Sequence, residues 1–481
     1  METRTEKDLL GERQVPAGAY YGIQTLRGLE NFRITGIPIA SEPLFVQALA
    51  CVKKAAALAN RDLGALDPAI ARAIAGACDR LIAGEFLDQF PCDMIQGGAG
   101  TTANMNANEV IANLALESLG RPKGDYAVVS PYDHVNRSQS TNDVYPTAFR
   151  IALIRRLARY AEALARLRDA FGEKGREFAR VLKMGRTHLQ DAVPMSMGEE
   201  FHGFATNLQE ELARIEESRH LLSEVNLGAT AIGTSVNAPP GYPERAVRHL
   251  RDVTGLDLTL AEDLVEATSD AGAYVQLSGV LKRTAVKLSK ICNDLRLLAS
   301  GPRCGLNEIR LPELQPGSSI MPGKVNPVIP EVVNQTAFYV IGADLTVTLA
   351  ASAGQLQLNV MEPALALALF TSLRAMENAV TALREKCVSG IAANPTHTHL
   401  MVMRSLGIVT MLTPLLGYER CAEIAREGLR ERKSIHQIVV QERQLISQEK
   451  WDELFSFENL IRPAPAVRPP PPAETGGAPR L

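Results

Sequence analysis

The stretch LSGVLKRTAVKLSKICNDLRLL, residues 277–298, decides the fold class. Its large apolar residues recur at steps of three, four and seven, at Leu277, Leu281, Leu288, Ile291, Leu295 and Leu298. This spacing places them along one face of a helix. From about Leu44 onward similar steps dominate, and strand-like alternation is rare. The sequence therefore predicts a mainly α protein.

Two further stretches predict long helices in a bundle. Leu157 is followed every seven residues by Leu164, Phe171 and Phe178. The stretch 332–361 contains a single charged residue, Asp344, yet its amide and hydroxyl side chains are too frequent for a membrane span. We interpret it as a helix covered on all sides. Subunits that pack such helices against one another would supply the cover.

The bulk composition limits the class of protein. The 481 residues are 46% hydrophobic and 22% charged, which is ordinary for a globular protein with room for about three domains of about 150 residues. The net charge of -3 provides no overall basic field. This balance argues against a nucleic-acid partner and against binding to an anionic membrane surface.

Cysteine usage and the N-terminus predict a cytoplasmic protein. The seven cysteines are scattered without a Cys-x-x-Cys pair, which indicates reduced thiols. The segment 1–11 is charged and lacks the apolar stretch of a secretory signal. The first forty residues, with Pro16, Gly18 and Gly22 among them, suit turns and irregular chain more than a long helix.

The segment 462–481 differs in composition from the rest of the chain. It contains the run Pro469–Pro472 and the pair Gly476 and Gly477. Such a segment buries little apolar surface and favours extended chain, so we expect a disordered, non-catalytic tail. A polyproline ligand for a partner domain is the alternative interpretation.

Four segments, far apart in sequence, are rich in small hydroxyl and amide side chains. They are Gly97–Asn108, Ser138–Asp143, Gly185–Gln190 and Gly317–Asn326. Each alone is also compatible with the start of a helix, because Ser, Thr and Asn are favoured caps and Gly is favoured in turns. Together they suggest a dispersed site for a small anion.

These segments carry a family resemblance. The ten residues Gly317-Ser-Ser-Ile-Met-Pro-Gly-Lys-Val-Asn326 resemble the signature loop of the fumarase and aspartase superfamily, and so do Asn104-Met-Asn-Ala-Asn-Glu-Val110 and Gly185-Arg-Thr-His-Leu-Gln-Asp191. The resemblance extends from Asp8 to Pro463. It implies three mostly helical domains at 1–141, 142–395 and 396–461, before the tail 462–481. The middle domain is expected to be a long helical bundle shared in a homotetramer whose active sites combine several subunits.

Members of this superfamily remove an amine or an alcohol from a succinyl group to give fumarate. Gln139-Ser-Thr-Asn-Asp143 and Ser130-Pro131 resemble aspartases more than fumarases, as do the stretches 311–314, 328–335 and 355–363. The resemblance therefore implies reversible deamination of L-aspartate to fumarate and ammonia. Fumarate hydratase is the alternative enzyme, and a non-enzymatic scaffold is a further class, against which the full set of expected side chains argues.

The reaction needs a base for a weakly acidic Cβ proton, within about 3 Å of it, and donors aimed at the enediolate that forms. On chemistry alone His188 is the candidate base, since its ordinary pKa of about 6.5 suits proton transfer at neutral pH. The resemblance instead implies Ser318, on a mobile glycine-rich loop where backbone N–H groups and Lys324 stabilise its alkoxide.

The resemblance also assigns the substrate ligands. It places the β-carboxylate on Thr101, Ser140, Thr141 and Ser319, the α-carboxylate on Thr187, Lys324 and Asn326, and the amino group on Asn142 and His188. Each has a structural alternative. Thr101 and Ser140 could be helix caps, Lys324 a solvated cation, and His188 a buried histidine with its hydrogen bonds satisfied.

No metal site or required cofactor is predicted. His397 and His399 are two residues apart, so a helix would not present both on one face, and no carboxylate cluster joins them. Stimulation by Mg²⁺ stays open. Two residues depart from the family pattern: Thr102 stands where serine is frequent, and Ser235 where a glycine is usual.

Overall fold

The structure, a computed structural model, describes residues Glu2–Arg462. Except for Arg462, the predicted tail lies outside these residues. The chain forms two compact units. Within the described residues, unit 1 comprises 2–164, Glu210–Leu288 and Asn334–Val380, and unit 2 comprises Ala165–Gln209, Ser289–Val333 and 381–462. The division into three domains stays a prediction.

Helices make up most of the described chain. They are α1 (Ile23–Asn31), α2 (Pro43–Asp62), α3 (Pro68–Ile82), α4 (Thr101–Ser118), α5 (Thr141–Glu177), α6 (Met197–Leu221), α7 (Tyr242–Thr254), α8 (Leu264–Ser269), α9 (Gly272–Leu298), α10 (Val328–Ser352), α11 (Glu362–Lys386), α12 (Pro395–Arg404), α13 (Thr413–Leu416), α14 (Tyr418–Glu431), α15 (Gln448–Leu454) and α16 (Phe457–Ile461). The prediction of a mainly α protein is confirmed.

Strands are short and pair two by two. They are β1 (Thr3–Asp8) with β2 (Gly11–Pro16), β3 (Leu182–Thr187) with β4 (Gln190–Ser196), β5 (Glu224–Val225) with β6 (Thr259–Leu260), and β7 (Ile309–Arg310) with β8 (Ala392–Ala393). Only β5 and β6 among these described strands run parallel. The β1–β2 hairpin and the short α1 occupy the first forty residues, where we expected irregular chain.

The core of unit 1 is built on α2, which packs against α3 and α7. Pro43 occupies the first turn of α2, where a missing N–H costs nothing. An aromatic cluster fills the same unit: the ring centroids of Phe149 and Tyr274 lie 4.6 Å apart, and those of Phe45 and Tyr145 lie 5.1 Å apart. These rings are fully or almost fully buried, so they anchor the start of α5 in the core.

Unit 2 has its own cores. Phe171, Phe201 and Phe204 make edge-on or tilted ring contacts. A second cluster surrounds Trp451 and includes Leu182 of β3. Helix α12 packs against β3, so the hairpin β3–β4 is fixed to the body of the unit.

The predicted long helices form, with one correction. Helices α5 and α9 contain or adjoin all the predicted apolar repeats, and those side chains are buried. The helix expected over 332–361 ends at Ser352, nine residues early. Asn359 Nδ2 donates to the carbonyl oxygens of Ala350 and Ala351, which the helix end leaves free, so the chain turns back.

Among residues 2–462, no single helix is long and apolar enough to cross a membrane, although the bent pair Pro395–Arg404 and Leu406–Leu416 meets the length and composition criteria.

Candidate active site

The ten predicted site residues fall into two groups according to the unit that carries them. Unit 1 carries four, at the starts of α4 and α5: Thr101, Ser140, Thr141 and Asn142. Unit 2 carries six, on a hairpin turn and a loop: Thr187, His188, Ser318, Ser319, Lys324 and Asn326.

Helix α4 begins after three consecutive residues with positive φ, Gly98, Ala99 and Gly100. A side chain at Gly100 would lie 2.2 Å from the ring of Tyr145, so only glycine fits both the conformation and the space. Thr101 follows as an exposed residue whose Oγ1 donates to the Gly98 carbonyl over 2.7 Å. Gly100 is the N-cap residue, so the alternative of Thr101 as a cap is wrong.

The start of α5 is closed by a reciprocal cap. Asn142 N donates to Ser140 Oγ over 3.3 Å, and Ser140 N donates to Asp143 Oδ1 over 3.0 Å. Asp143 also accepts the amides of Gly228 and Thr230. Burial raises the pKa of Asp143 to about 6, against the three backbone donors that lower it. Ser140 is therefore a helix cap, and Asp143 fixes where this cap lies.

Thr141 is buried and tied to α4. Asn104 Nδ2 donates to Thr141 Oγ1 and to Asn136 Oδ1, over 3.2 Å in each case. Asn136 Oδ1 also accepts from Asn108 Nδ2 at 3.1 Å and from Lys53 Nζ at 2.9 Å. Burial lowers the pKa of Lys53 to about 7. A chain of buried donors thus ends at a predicted substrate ligand.

The two departures from the family pattern are accommodated locally. Ser235 has φ +54°, a conformation that favours glycine, and its Oγ donates to the Gly228 carbonyl over 2.8 Å. A Cβ on Gly28 would lie 2.2 Å from Thr102 Cγ2, so the glycine makes room for the extra methyl group of this threonine.

Asn142 holds the neighbouring segment. Its Nδ2 donates to the Ala231 carbonyl over 2.7 Å, and its own carbonyl accepts from Asn226 Nδ2. The Asn142 carboxamide keeps its Oδ1 and one N–H for other partners.

Thr187 and His188 lie at the tip of the β3–β4 hairpin. Thr187 pairs with Gln190, and the two residues between them, His188 and Leu189, have φ of 55° and 61°. Positive φ at both central residues is typical of a type I′ turn, in which Asn-Gly is the usual sequence. His188 is exposed in the single chain, so its own subunit gives no support to the alternative of a buried histidine. The segment is also not the start of a helix.

Buried charges anchor this hairpin. Glu308, 1% exposed, accepts from Arg186, the residue before Thr187, and pairs with Lys183 of β3 at 3.1 Å. Lys183 also pairs with Glu200 at 2.6 Å. Because Glu308 is the carboxylate that pairs with Arg186, removing Glu308 would leave this largely buried guanidinium without its charged partner. The ion pairs therefore position the turn that presents His188.

The signature loop, Gly317–Asn326, surrounds Ser318 with donors. Ser318 Oγ accepts from the backbone amides of Ile320 at 3.2 Å and Met321 at 3.0 Å. Gly317 N donates to the Lys324 carbonyl over 2.7 Å, and Asn326 Nδ2 donates to the Gly317 carbonyl over 2.8 Å, which closes the base of the loop. Two amides directed at one hydroxyl oxygen favour its deprotonated form.

Ser318 and Lys324 line a single open cavity of about 450 Å³. Lys324 and Ser319 are exposed, and Asn326 is partly buried. An exposed cation beside a hydroxyl held by two amides suits a small anionic substrate and an alkoxide base. Within residues 2–462, no group of three or more His, Cys, Asp or Glu side chains could hold a metal ion.

Comparison with known proteins places this geometry in a family. The family model described as "Lyase" matches residues 11–342, and the model "Fumarase C C-terminus" matches residues 408–462. The chain is 57% identical over 461 residues to the aspartate ammonia-lyase of Pseudomonas canavaninivorans, covering 96% of this chain and 97% of the relative. The chain belongs to the aspartase family.

Solved structures agree with membership in the aspartase family. A fumarate lyase:delta crystallin from Brucella melitensis, bound to cobalt, superposes with a TM-score of 0.93 at 52% identity, covering 96% of this chain and 100% of that one. A class II fumarase from Schistosoma mansoni has a TM-score of 0.90 at 35% identity, covering 96% and 99%. The predicted superfamily fold and the choice of the aspartase branch are confirmed. The site assignments stay predictions.

Four residues that support the candidate ligands received no role from the sequence alone. Asn104, Asn136 and Lys53 lie under Thr141, and Glu308 holds the hairpin of His188. Lys53 and Lys54 interrupt the apolar run of α2, and Lys53 is the one signal that sequence could have offered, because lysine is seldom fully buried unless it is paired. Their partners lie too far away in sequence for spacing to reveal them.

Proposed function

We propose that this chain catalyses the reversible deamination of L-aspartate to fumarate and ammonia. Membership in the aspartase family and the name of its Pseudomonas relative support the substrate. The observation that carries the chemistry is the pair of amides, from Ile320 and Met321, directed at Ser318 Oγ. A neutral serine is too weak a base for a Cβ proton, and two preorganised donors lower the cost of its alkoxide.

The reaction starts when the Ser318 alkoxide takes the Cβ proton. The electron pair of that bond moves into the β-carboxylate, which becomes an enediolate with two negative charges. The enediolate then collapses, the Cα–N bond breaks, and the electron pair leaves with nitrogen as ammonia. The proton held on Ser318 is released to solvent or to ammonia, which restores the base. Lys324, exposed beside Ser318, lowers the energy of both anions.

The substrate groups are distributed over the side chains by charge. We assign the β-carboxylate and its enediolate to Thr101, Ser140, Thr141 and Ser319, the α-carboxylate to Thr187, Lys324 and Asn326, and the amino group to Asn142 and His188. Hydroxyl and amide donors suit the carboxylates. The Asn142 oxygen and the exposed His188 ring suit a leaving amine.

We further propose a homotetramer. Helix α10 exposes Phe338 at 62%, Leu345 at 61% and Leu349 at 60%, a side-chain pattern that a solvated helix avoids. Leu345→Asp is expected to dissociate the assembly in light scattering, whereas Leu429→Asp, at a residue 72% exposed on α14, should keep its mass. A tetramer unaffected by Leu345→Asp would contradict this interface.

Active sites are proposed to combine residues of several subunits. In the single chain the tip of the β3–β4 hairpin is exposed, with Leu189 at 70% and Val193 at 49%, so the surface that carries His188 is available to another subunit. Mixing an inactive Ser318→Ala variant with an inactive His188→Ala variant tests this. Shared sites predict partial recovery of activity after subunit exchange, and sites within one subunit predict none.

We propose a cytoplasmic location and no required cofactor. All seven cysteines are free, and six of them are buried, which suits a reducing compartment. Hydroxyls, amides and Lys324 supply the donors that the mechanism needs. Activity is expected to persist in EDTA, and the rate with added Mg²⁺ tests for stimulation by this cation. Complete loss in EDTA would refute the cofactor proposal.

The decisive assay follows the loss of fumarate with ammonium or with plain buffer. Deamination predicts loss of fumarate and formation of L-aspartate only with ammonium. Loss in buffer alone, with formation of malate, would instead identify fumarate hydratase. No loss in either would identify a non-enzymatic protein.

A further inference from the structure

Buried hydrogen bonds lead to Thr141, the proposed ligand of the substrate β-carboxylate. Asn104 uses both hydrogens of its carboxamide, donating to Asn136 Oδ1 and to Thr141 Oγ1 over 3.2 Å each. Lys53 Nζ donates to the same Asn136 oxygen over 2.9 Å. Asn104 is 2% exposed and Thr141 is 8% exposed, so water has little access to compete for these bonds.

The donor and acceptor of each hydrogen bond follow from the two groups at the ends of this network, Lys53 and Gln139. The Lys53 amino group donates, and the backbone carbonyl of Gln139, which accepts Asn136 Nδ2 over 3.3 Å, can only accept. Asn136 must therefore turn its oxygen towards Lys53 and α4. Asn104 then has to present its amino group to that oxygen, because two facing carbonyls would repel. Its second N–H consequently reaches Thr141 Oγ1.

A hydroxyl that accepts through its oxygen keeps its hydrogen for an outgoing bond. Within the described residues, Asn104 is the only hydrogen-bond partner of the Thr141 hydroxyl. We propose that Asn104 is a positioning residue that fixes the Thr141 hydroxyl as a donor to the substrate β-carboxylate. This inference rests on the proposed function and deepens it, because it explains how one hydroxyl of the site acquires a single orientation.

The catalytic consequence follows from where charge develops. Negative charge grows on the β-carboxylate as the Cβ proton leaves, and a donor already oriented towards it needs no reorganisation. A freely rotating hydroxyl would spend part of its time with a lone pair facing the carboxylate. Asn104 disfavours that arrangement, so its loss should lower kcat more than it raises KM.

A double-mutant cycle on aspartate deamination by the full-length enzyme tests this. Thr141→Val removes the hydroxyl and keeps the side-chain shape, with an expected fall of about 100-fold in kcat/KM. For Asn104→Ala we expect a fall of about 10- to 30-fold, since the hydroxyl remains but loses its orientation. If Asn104 acts through this hydroxyl, the double variant stays within about threefold of Thr141→Val alone.

Asn108→Ala is the matched control. Asn108 lies one turn further along α4 and donates to the same Asn136 oxygen over 3.1 Å, but its amide contacts Met105 Sδ instead of Thr141. The Asn108→Ala substitution therefore removes an equivalent hydrogen bond from the network, and the variant should keep kcat/KM within about threefold of wild type. Thermal midpoints, measured by circular dichroism, report whether the two alanine variants lose similar stability.

Two results would overturn the inference: losses that multiply in the double variant, or an Asn108→Ala variant as impaired as Asn104→Ala. If Asn104→Ala does not fold, the same cycle is run with Asn104→Leu, which keeps the shape without the donor. Failure of the proposed function looks different, because the wild-type enzyme itself would then leave fumarate and ammonium unchanged.

Discussion

Gly317→Ala tests whether the closed base of the signature loop positions the Ser318 hydroxyl. A methyl group at residue 317 would lie 2.7 Å from the Lys324 carbonyl oxygen and 2.8 Å from the Asn326 amide nitrogen. Both separations are far below the about 3.5 Å at which non-bonded heavy atoms rest. Because both neighbours are backbone atoms, the overlap can be relieved only by opening the base of the loop.

Opening the base breaks two hydrogen bonds, one from Gly317 N to Lys324 O and one from Asn326 Nδ2 to Gly317 O. At about 1 kcal/mol each, with the overlap added, the closed loop loses roughly 2–3 kcal/mol. This corresponds to a fall in kcat/KM of roughly 30- to 150-fold. The thermal midpoint should hardly change, because residues 319–325 are exposed and contribute little to either core.

Initial rates of fumarate formation from L-aspartate give kcat/KM, and circular dichroism gives the thermal midpoint. Gly323→Ala in the same loop is the control, since its φ of +80° is strained but its Cβ meets no atom within 4 Å. It should lose less than about tenfold, the equivalent of about 1 kcal/mol of backbone strain. A Gly317→Ala variant that keeps its rate within threefold of wild type, or a Gly323→Ala variant that is more impaired, would show that the closed base of the loop does not position Ser318.

Three further predictions concern the base, a buried carboxyl and a strained turn. Ser318→Ala should lower turnover at least about 1,000-fold with fumarate binding kept; a variant that keeps most of its rate returns the base role to His188. Burial raises the pKa of Glu362 from 4.5 to about 8. Between these two pH values the folded chain keeps this proton and the unfolded chain has lost it. The free energy of unfolding therefore falls as the pH rises from 4.5 to about 8. Glu362→Gln should therefore melt near wild type at pH 5 but several degrees higher at pH 9, and equal midpoints at both pH values would contradict this shift. Leu189→Asn should raise the free energy of unfolding by about 1 kcal/mol, since asparagine tolerates positive φ better than leucine, and a lowered midpoint would show that Leu189 is buried by another subunit.

Most of the helical architecture could be read from apolar spacing, because burial of one face decides helix formation. The end of α10 shows where that reading fails. The run 353–361 continues the uncharged composition of the helix, so composition alone extends the prediction to Met361. What ends the helix is Asn359 Nδ2, which bonds to the carbonyls of Ala350 and Ala351. A cap from a side chain eight or nine residues further along the chain leaves no periodic signal in the sequence.

Only the motifs of the candidate site could be predicted from the sequence, and most of the contacts that support them could not. The Ser140 cap follows from residue type, because serine is a preferred N-cap. The turn at His188 and Leu189 does not, since neither residue is typical of a type I′ turn and the hairpin is maintained by the distant Glu308. The donors beneath Thr141 were also hidden, because Asn104 and Asn136 meet only in the folded chain.

Backbone strain is concentrated at the segments of the candidate site. Of the twelve described non-glycine residues with positive φ, four lie within these segments, Ala99, Ser138, His188 and Leu189, and a fifth, Thr230, donates its amide to Asp143 of one segment. Each such residue costs about 1–2 kcal/mol, whereas the free energy of unfolding of a whole domain is only about 5–15 kcal/mol. Such strain therefore persists where surrounding hydrogen bonds stabilise it. Asp143 holds the start of α5 in this way, by accepting the amide of Thr230. The loop of Ser318 instead depends on two bonds of Gly317. The proposed base therefore lies where a single methyl group can displace it, whereas the carboxylate ligand Thr141 is protected by buried amides.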